Sequence, residues 1–303
     1  MISRRLALGG GAAALASPVL AQPAPAWRGR FPELTFASIP AENSAGVTER
    51  FGPFVDHMSR TLGVPVRLRI ANDYAAVVEG QRAGNIHIAQ YGPSAFARAL
   101  MTGAPIEAFA IEVNRDGSRG YHSVFYVRRD SAFTDIPSLR GRNLGLVDPN
   151  STSGNNVPRF ALHGMGIVPE QFFGRVVYTG SHENAIIALA QGTVDVAANW
   201  WNDEQESNLA RMARRNMVQA QDFRIIFRSE QIVNSPTAML STLPDELKAA
   251  IRTAYMELPA REPAIFQRMT DGQQQPWQPV TNEAYQPIIA LNRFVDGLRR
   301  QRS

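Results

Sequence analysis

The sequence predicts an α/β fold built as two lobes with a cleft between them. Short apolar runs alternate with amphipathic helical stretches, the signature of a largely parallel sheet. The alternation occurs twice, in the first and in the middle third of the 303 residues. Two such units, with the chain passing between them near Tyr121 to Val127 and returning near Phe227 to Pro236, make a hinge and a cleft. The expected lobes are residues 30–124 together with 235–303, and residues 125–234.

The elements follow in order. Gln22 to Gly29, with Pro23 and Pro25, reads as a mobile leader, and Leu34 to Ile39 as the first strand. Phe51, Phe54, Val55, Met58 and Leu62 recur at intervals of three and four, which predicts a helix over 47–62 closed by Gly63. A strand over 64–70, a helix over 73–83, a short buried strand over 86–89 and a helix after Tyr91-Gly92-Pro93-Ser94 complete the first unit. The middle third offers strands over 123–127, 144–147, 176–178 and 194–198, with helices over 153–163 and 184–191. Strands over 223–227 and 237–240 follow, and 244–301 reads as mostly helical.

Composition narrows the function classes. Of 31 basic residues only Lys248 is a lysine, so the formal charge of +4 reflects arginine usage and not a basic tail. Arg128-Arg129, Arg214-Arg215 and Arg299-Arg300 are isolated pairs, a solvated surface and no nucleic-acid footprint. The absence of cysteine excludes disulfides, zinc–thiolate sites and a thiol nucleophile. Met1 to Ala21 reads as a secretory signal, with Arg4 and Arg5 before a short apolar run and small residues before the cleavage point. Ser3-Arg4-Arg5-Leu6 also has the form of a twin-arginine signal. A periplasmic location is therefore expected.

The strongest local signal is Asp148-Pro149-Asn150-Ser151-Thr152-Ser153-Gly154, which follows a strand and opens a helix. Free backbone N–H groups at a helix start, three hydroxyls and a glycine form an uncharged anion cradle favoured by the helix dipole. The bland alternative is that Ser151 or Thr152 is only an N-cap. Gly-Lys-Ser/Thr and Gly-x-Gly-x-x-Gly are both missing, so no nucleotide cofactor is expected. His182, in Gly180-Ser181-His182-Glu183, occupies a second strand-to-helix turn, beyond the carboxyl end of a strand, where α/β sheets meet ligands. Tyr74 and Tyr121 carry hydroxyl donors at analogous edges, although core packing is the ordinary role of tyrosine. Trp200-Trp201 after a strand end would line a cleft well.

Taken together, Asn72-Asp73-Tyr74-Ala75, Asp116 to Ser123, Asp148 to Gly154, Gly180 to Glu183 and Val194 to Ala197 resemble the successive signatures of periplasmic phosphonate-binding proteins of ABC importers, over about Leu34 to Leu247. The resemblance implies a type II periplasmic-binding-protein fold and no enzymatic activity. It implies that Tyr74, Tyr121, Ser151, Thr152 and His182 hold the phosphonate oxygens, with the backbone at Ser153 and Gly154 assisting. It further implies a membrane permease as partner, and a monomer is expected. Relatives that take aminoethylphosphonate hold its ammonium with two acids; ungapped counting puts Asn202, next to Asp203, at the first and Ser235 at the second. The expectation is therefore a site, with Trp200 and Trp201 near the tail, that disfavours an aminated ligand.

Two other classes compete. A periplasmic hydrolase could use a serine or threonine near His182, but no Gly-x-Ser-x-Gly elbow, His-x-x-x-His pair or orienting acid is legible, and no metal is expected. A ligand-sensing partner of a membrane receptor would have to signal through a separate protein.

Overall fold

A computed structural model describes residues 25–300; the expected signal segment lies outside the described residues. β1 (Leu34–Ser38) leads to α1 (Ser44–Leu62), which Asn43 caps by accepting the Gly46 N–H at 3.0 Å. The helix starts three residues before the expected Val47, because its first turn is held by a polar cap while the apolar stripe begins later. Gly63, at φ 69°, closes it in the left-handed conformation. β2 (Val66–Arg69), α2 (Tyr74–Arg82), β3 (Ile88–Gln90) and α3 (Pro93–Met101) follow as expected.

β4 (Ile106–Asn114) is a strand the sequence reading did not find, since its run of Ala-Phe-Ala-Ile lacks clean alternation. It carries the chain out of the first sheet, and β5 (Gly120–Arg128) enters the second. The first crossing is therefore the turn at 115–119, slightly ahead of the expected position. β6 (Asn143–Leu146), α4 (Val157–Gly164), β7 (Arg175–Tyr178), α5 (His182–Ala190), β8 (Val196–Trp201), α6 (Asn208–Arg214), β9 (Phe223–Arg228) and β10 (Ile232–Val233) build the second lobe. β11 (Pro236–Leu240) returns to the first sheet, followed by α7 (Asp245–Met256), β12 (Gln274–Gln278) and α8 (Gln286–Arg300). The end is mostly helical as expected, interrupted by β12. It is an edge strand containing Pro276, which only an edge tolerates, and it has none of the β-branched residues that mark strands in sequence.

The first sheet runs β12-β4-β11-β3-β1-β2 and the second β10-β5-β8-β6-β7, with β9 beside β5. Phe36, Phe51, Phe54 and Tyr255 pack ring on ring beneath the first sheet; Phe125, Leu144, Leu146, Leu162 and Val196 form a core in the second lobe. The two crossings lie side by side. Asn234 Nδ2 donates to Glu112 O at 3.0 Å and to Asn114 Oδ1 at 2.9 Å, and the Asn114 amide donates to Gly120 O at 2.6 Å. A hinge of two strands braced by two asparagines allows rotation while keeping its backbone polar groups satisfied.

Candidate functional site

The lobes meet around a cavity of about 130 Å3. Four helices aim their N-termini at it, because each follows the carboxyl end of a strand and is started by a local signal. Asp73 caps α2, placing Tyr74 in its first turn; Gly92 precedes Pro93 at the start of α3; Ser181 caps α5, so that His182 opens it. Ser151 Oγ accepts the Gly154 N–H at 3.1 Å and starts a single wide turn, in which the Asn156 N–H reaches back to Ser151 O at 3.0 Å. The expected helix over 153–163 is therefore this wide turn followed by α4. The turn spreads the backbone N–H groups of 152–154 more than an α-helix would.

Tyr74, Tyr121, Ser151, Thr152, Ser153 and His182 all line the cavity, as do Trp200, Asn202 and Ser235. Gly154, Trp201 and Asp203 do not. Gly154 is required by packing: a Cβ there would collide with Val147. Trp201 faces away from Trp200, as alternation along a strand demands, and packs against His122 and Arg228. Asp203 is exposed and caps a turn, accepting the N–H groups of Gln205 and Glu206 at 2.7 Å each.

The cradle's donors are largely unspent. Tyr74 is 1% exposed and its hydroxyl has no hydrogen-bond partner among the described residues; Ser151 comes near enough to ease its ionisation but not to bond it. Burial pushes the Tyr74 and Tyr121 phenols up, so both remain protonated donors. Thr152 Oγ1 accepts the Ser94 N–H at 2.8 Å across the lobes, which leaves its own hydrogen free. Ser151 is thus a cap and a cavity hydroxyl at once. His182 is buried, with Nδ1 2.9 Å from Asn199 Oδ1 and Nε2 3.5 Å from Ser151 Oγ. Burial, chiefly, holds its pKa down to about 4, with the Asn199 bond working against this and Arg211 adding to it.

The cavity also carries charged residues, which sequence reasoning missed. Arg50, Glu112, Glu206 and Arg211 all line it. Arg50 pairs with Glu42 at 2.8 Å, and Arg211 with Asp271 at 2.5 Å. Among the described residues neither Glu112 nor Glu206 has an ion-pair partner. Glu112 accepts from Gln90 Nε2 at 2.7 Å, and Glu206 from Asn202 Nδ2 at 2.8 Å. Burial raises Glu112, and raises Glu206 to about 7 against the opposing bond from Asn202, with Glu112 adding repulsion. Asn202, where ungapped counting expected an acid, is bonded to the acid four residues on.

Contacts across the lobes hold the two walls of the cavity together. The Asn43 backbone and side-chain amides both donate to Glu183 Oε2 at 2.8 Å, Arg215 reaches Glu42 at 2.7 Å, and Asn156 Nδ2 donates to Asn292 at 2.9 Å.

Comparison with known proteins agrees with this geometry. Residues 36–285 match the family model described as ABC transporter, phosphonate, periplasmic substrate-binding protein. The chain is 31% identical over 242 residues to the phosphonates-binding periplasmic protein of Escherichia coli K12, covering 78% of this chain and 70% of that one. A binding protein component of a phosphonate ABC transporter from Pseudomonas aeruginosa superposes with a TM-score of 0.78 at 29% identity, over 87% of this chain and 86% of that one. PhnD1 from Prochlorococcus marinus, solved in complex with methylphosphonate, has the same fold, with a TM-score of 0.76 at 19% identity over 87% and 98%. Two sheets hinged by two crossings, a hydroxyl-lined cavity at their converging helix N-termini and a match across most of the chain agree: this chain belongs to the family of periplasmic substrate-binding proteins of phosphonate ABC transporters.

Proposed function

We propose that the chain captures a small phosphonate by closing its lobes on it, and delivers it to the permease of an ABC importer without chemical change. The observation that carries this is the set of hydroxyl groups, Tyr74, Tyr121, Ser151 and Thr152, gathered in one cavity on which four helix N-termini converge, with the buried Tyr74 hydroxyl left without a partner among the described residues. An oxyanion there exchanges its water shell for charge-assisted hydrogen bonds worth roughly 1.5–3 kcal/mol each. Capture without turnover is supported by His182: a base held down to about 4 and steadied by an amide is a poor general base near neutrality.

Glu112 and Glu206 extend the reading to the organic tail. Two unpaired carboxylates facing one cavity call for a cation, and an ammonium would both neutralise them and donate to them. The proposed ligand is therefore an aminoalkylphosphonate, which replaces the expectation drawn from Asn202 and Ser235. Calorimetry against methyl-, ethyl- and aminoethylphosphonate, phosphite and phosphate tests the reading. Absence of heat with all five, or hydrolysis of a phosphate ester, would overturn it.

A further inference from the structure

Two backbone groups dictate the orientation of the buried Asn199. The Trp200 N–H meets its Oδ1 at 3.0 Å, and the His182 carbonyl meets its Nδ2 at 2.9 Å. The atom 2.9 Å from His182 Nδ1 is therefore an acceptor, and Nδ1 must carry the ring proton. A neutral ring then presents a bare lone pair at Nε2, on its cavity side, where Ser151 Oγ at 3.5 Å is too distant for a good hydrogen bond.

The surroundings oppose a second proton on the ring. His182 is 5% exposed, and Arg211 of α6 is the charged group that acts on it. Arg50 and Glu42 of the first lobe, which also line the cavity, are paired with each other. The neighbouring Glu183 turns away to Asn43 and Arg215, and Asp148 acts on Tyr74. Glu112 and Glu206 line the same cavity, but neither is among the groups that act on the ring. A fully ionised phosphonate would set an oxygen lone pair against the lone pair of Nε2, whereas a singly protonated one can donate its P–OH there while its other oxygens accept from the hydroxyl cradle.

We propose that His182, its tautomer set by Asn199, makes this site select the singly protonated phosphonate over the dianion and reject sulfonates, which carry no proton near neutrality. This rests on the phosphonate reading above. Asn199 is on this account a positioning residue, and His182 the one that sets specificity.

The test is calorimetry of the exported chain with methylphosphonate and methanesulfonate from pH 6 to 9, in buffers of different ionisation heat. Ionisation of Glu112 and Glu206 weakens both anions alike, so the ratio of the two Kd values isolates the proposal. Methanesulfonate should bind at least a hundredfold more weakly at pH 7. Above the second pKa of methylphosphonate the ratio should narrow about tenfold per pH unit, with uptake approaching one proton per ligand. Asn199→Asp stabilises the imidazolium and makes Nε2 a donor; it should flatten the pH dependence and strengthen methanesulfonate at least tenfold. His182→Gln, which offers an amide N–H near the same point, should do the same and stands in if the first variant does not fold. Tight methylphosphonate binding with no proton uptake and a pH-independent ratio, or sulfonate binding within threefold, overturns the proposal and leaves the phosphonate reading intact. Failure of every phosphonate to bind overturns both.

Discussion

Tyr74→Phe separates a ligand-binding role from a structural one, because the two predict opposite signs. The Tyr74 hydroxyl is buried without a hydrogen-bond partner among the described residues, a state that costs roughly 1–3 kcal/mol relative to a satisfied group. Removing the oxygen alone leaves the ring, its place in the first turn of α2 and the Asp73 cap untouched. The variant should therefore melt no lower than wild type. Binding should suffer, because a charge-assisted bond to the anion is worth roughly 1.5–3 kcal/mol, a loss of about ten- to 150-fold in affinity. Calorimetry for binding and thermal unfolding for stability, on the same preparation without ligand, read the two effects independently. If Tyr74→Phe binds a phosphonate with unchanged affinity, the hydroxyl is not part of the cradle. If it melts several degrees lower, the hydroxyl has a partner in the fold and the reasoning fails.

Three further outcomes are expected. Thr152→Ala removes both a free donor and the acceptor of the buried Ser94 N–H, so it should weaken phosphonate binding by roughly ten- to a hundredfold or more by calorimetry; unchanged binding would make Thr152 only a contact between the lobes. Aminoethylphosphonate should bind at least tenfold more tightly than ethylphosphonate, and Glu206→Gln should remove at least tenfold of the former, about 1.4 kcal/mol, while changing the latter less than threefold; equal losses for both would place the tail elsewhere. Glu206 also links stability to pH. Its folded pKa, raised from 4.5 to about 7, makes the native state hold a proton the unfolded chain releases. Its contribution is full below pH 4.5 and is lost as pH rises through 7, by up to about 3 kcal/mol. Glu206→Gln should therefore gain melting temperature relative to wild type at pH 8 compared with pH 5, and an equal difference at both would show that the carboxyl is not perturbed.

The sequence by itself determined what depends on near neighbours along the chain. Three of the four helix starts at the site are caps acting over three residues, Asp73 on Ala76, Ser151 on Gly154 and Ser181 on Asn184, and the fourth is the Gly92-Pro93 pair. A strand followed by such a cap places its first helical residues at the carboxyl edge of a sheet, whatever the remainder of the fold does. That is why Tyr74, Ser151, Thr152 and His182 could be picked out one loop at a time. Locality also set the limit: Gly154 and Asp203 stand among site residues in the sequence, yet one answers a packing demand and the other caps a turn. What only the tertiary structure decided is the set of charged residues that line the same cavity. Glu112 arrives on β4 and Glu206 on the loop after β8, and Arg50 and Arg211 from helices of different lobes, separated by up to 161 residues. No spacing announces which acids find an arginine. Burial and pairing exist only once the sheets are assembled, and they leave Glu112 and Glu206 unpaired while Glu42 and Asp271 are neutralised. The same holds for His182: the sequence supplies the ring at a helix start, but which nitrogen carries the proton is decided by Asn199, 17 residues on and brought against it by β8.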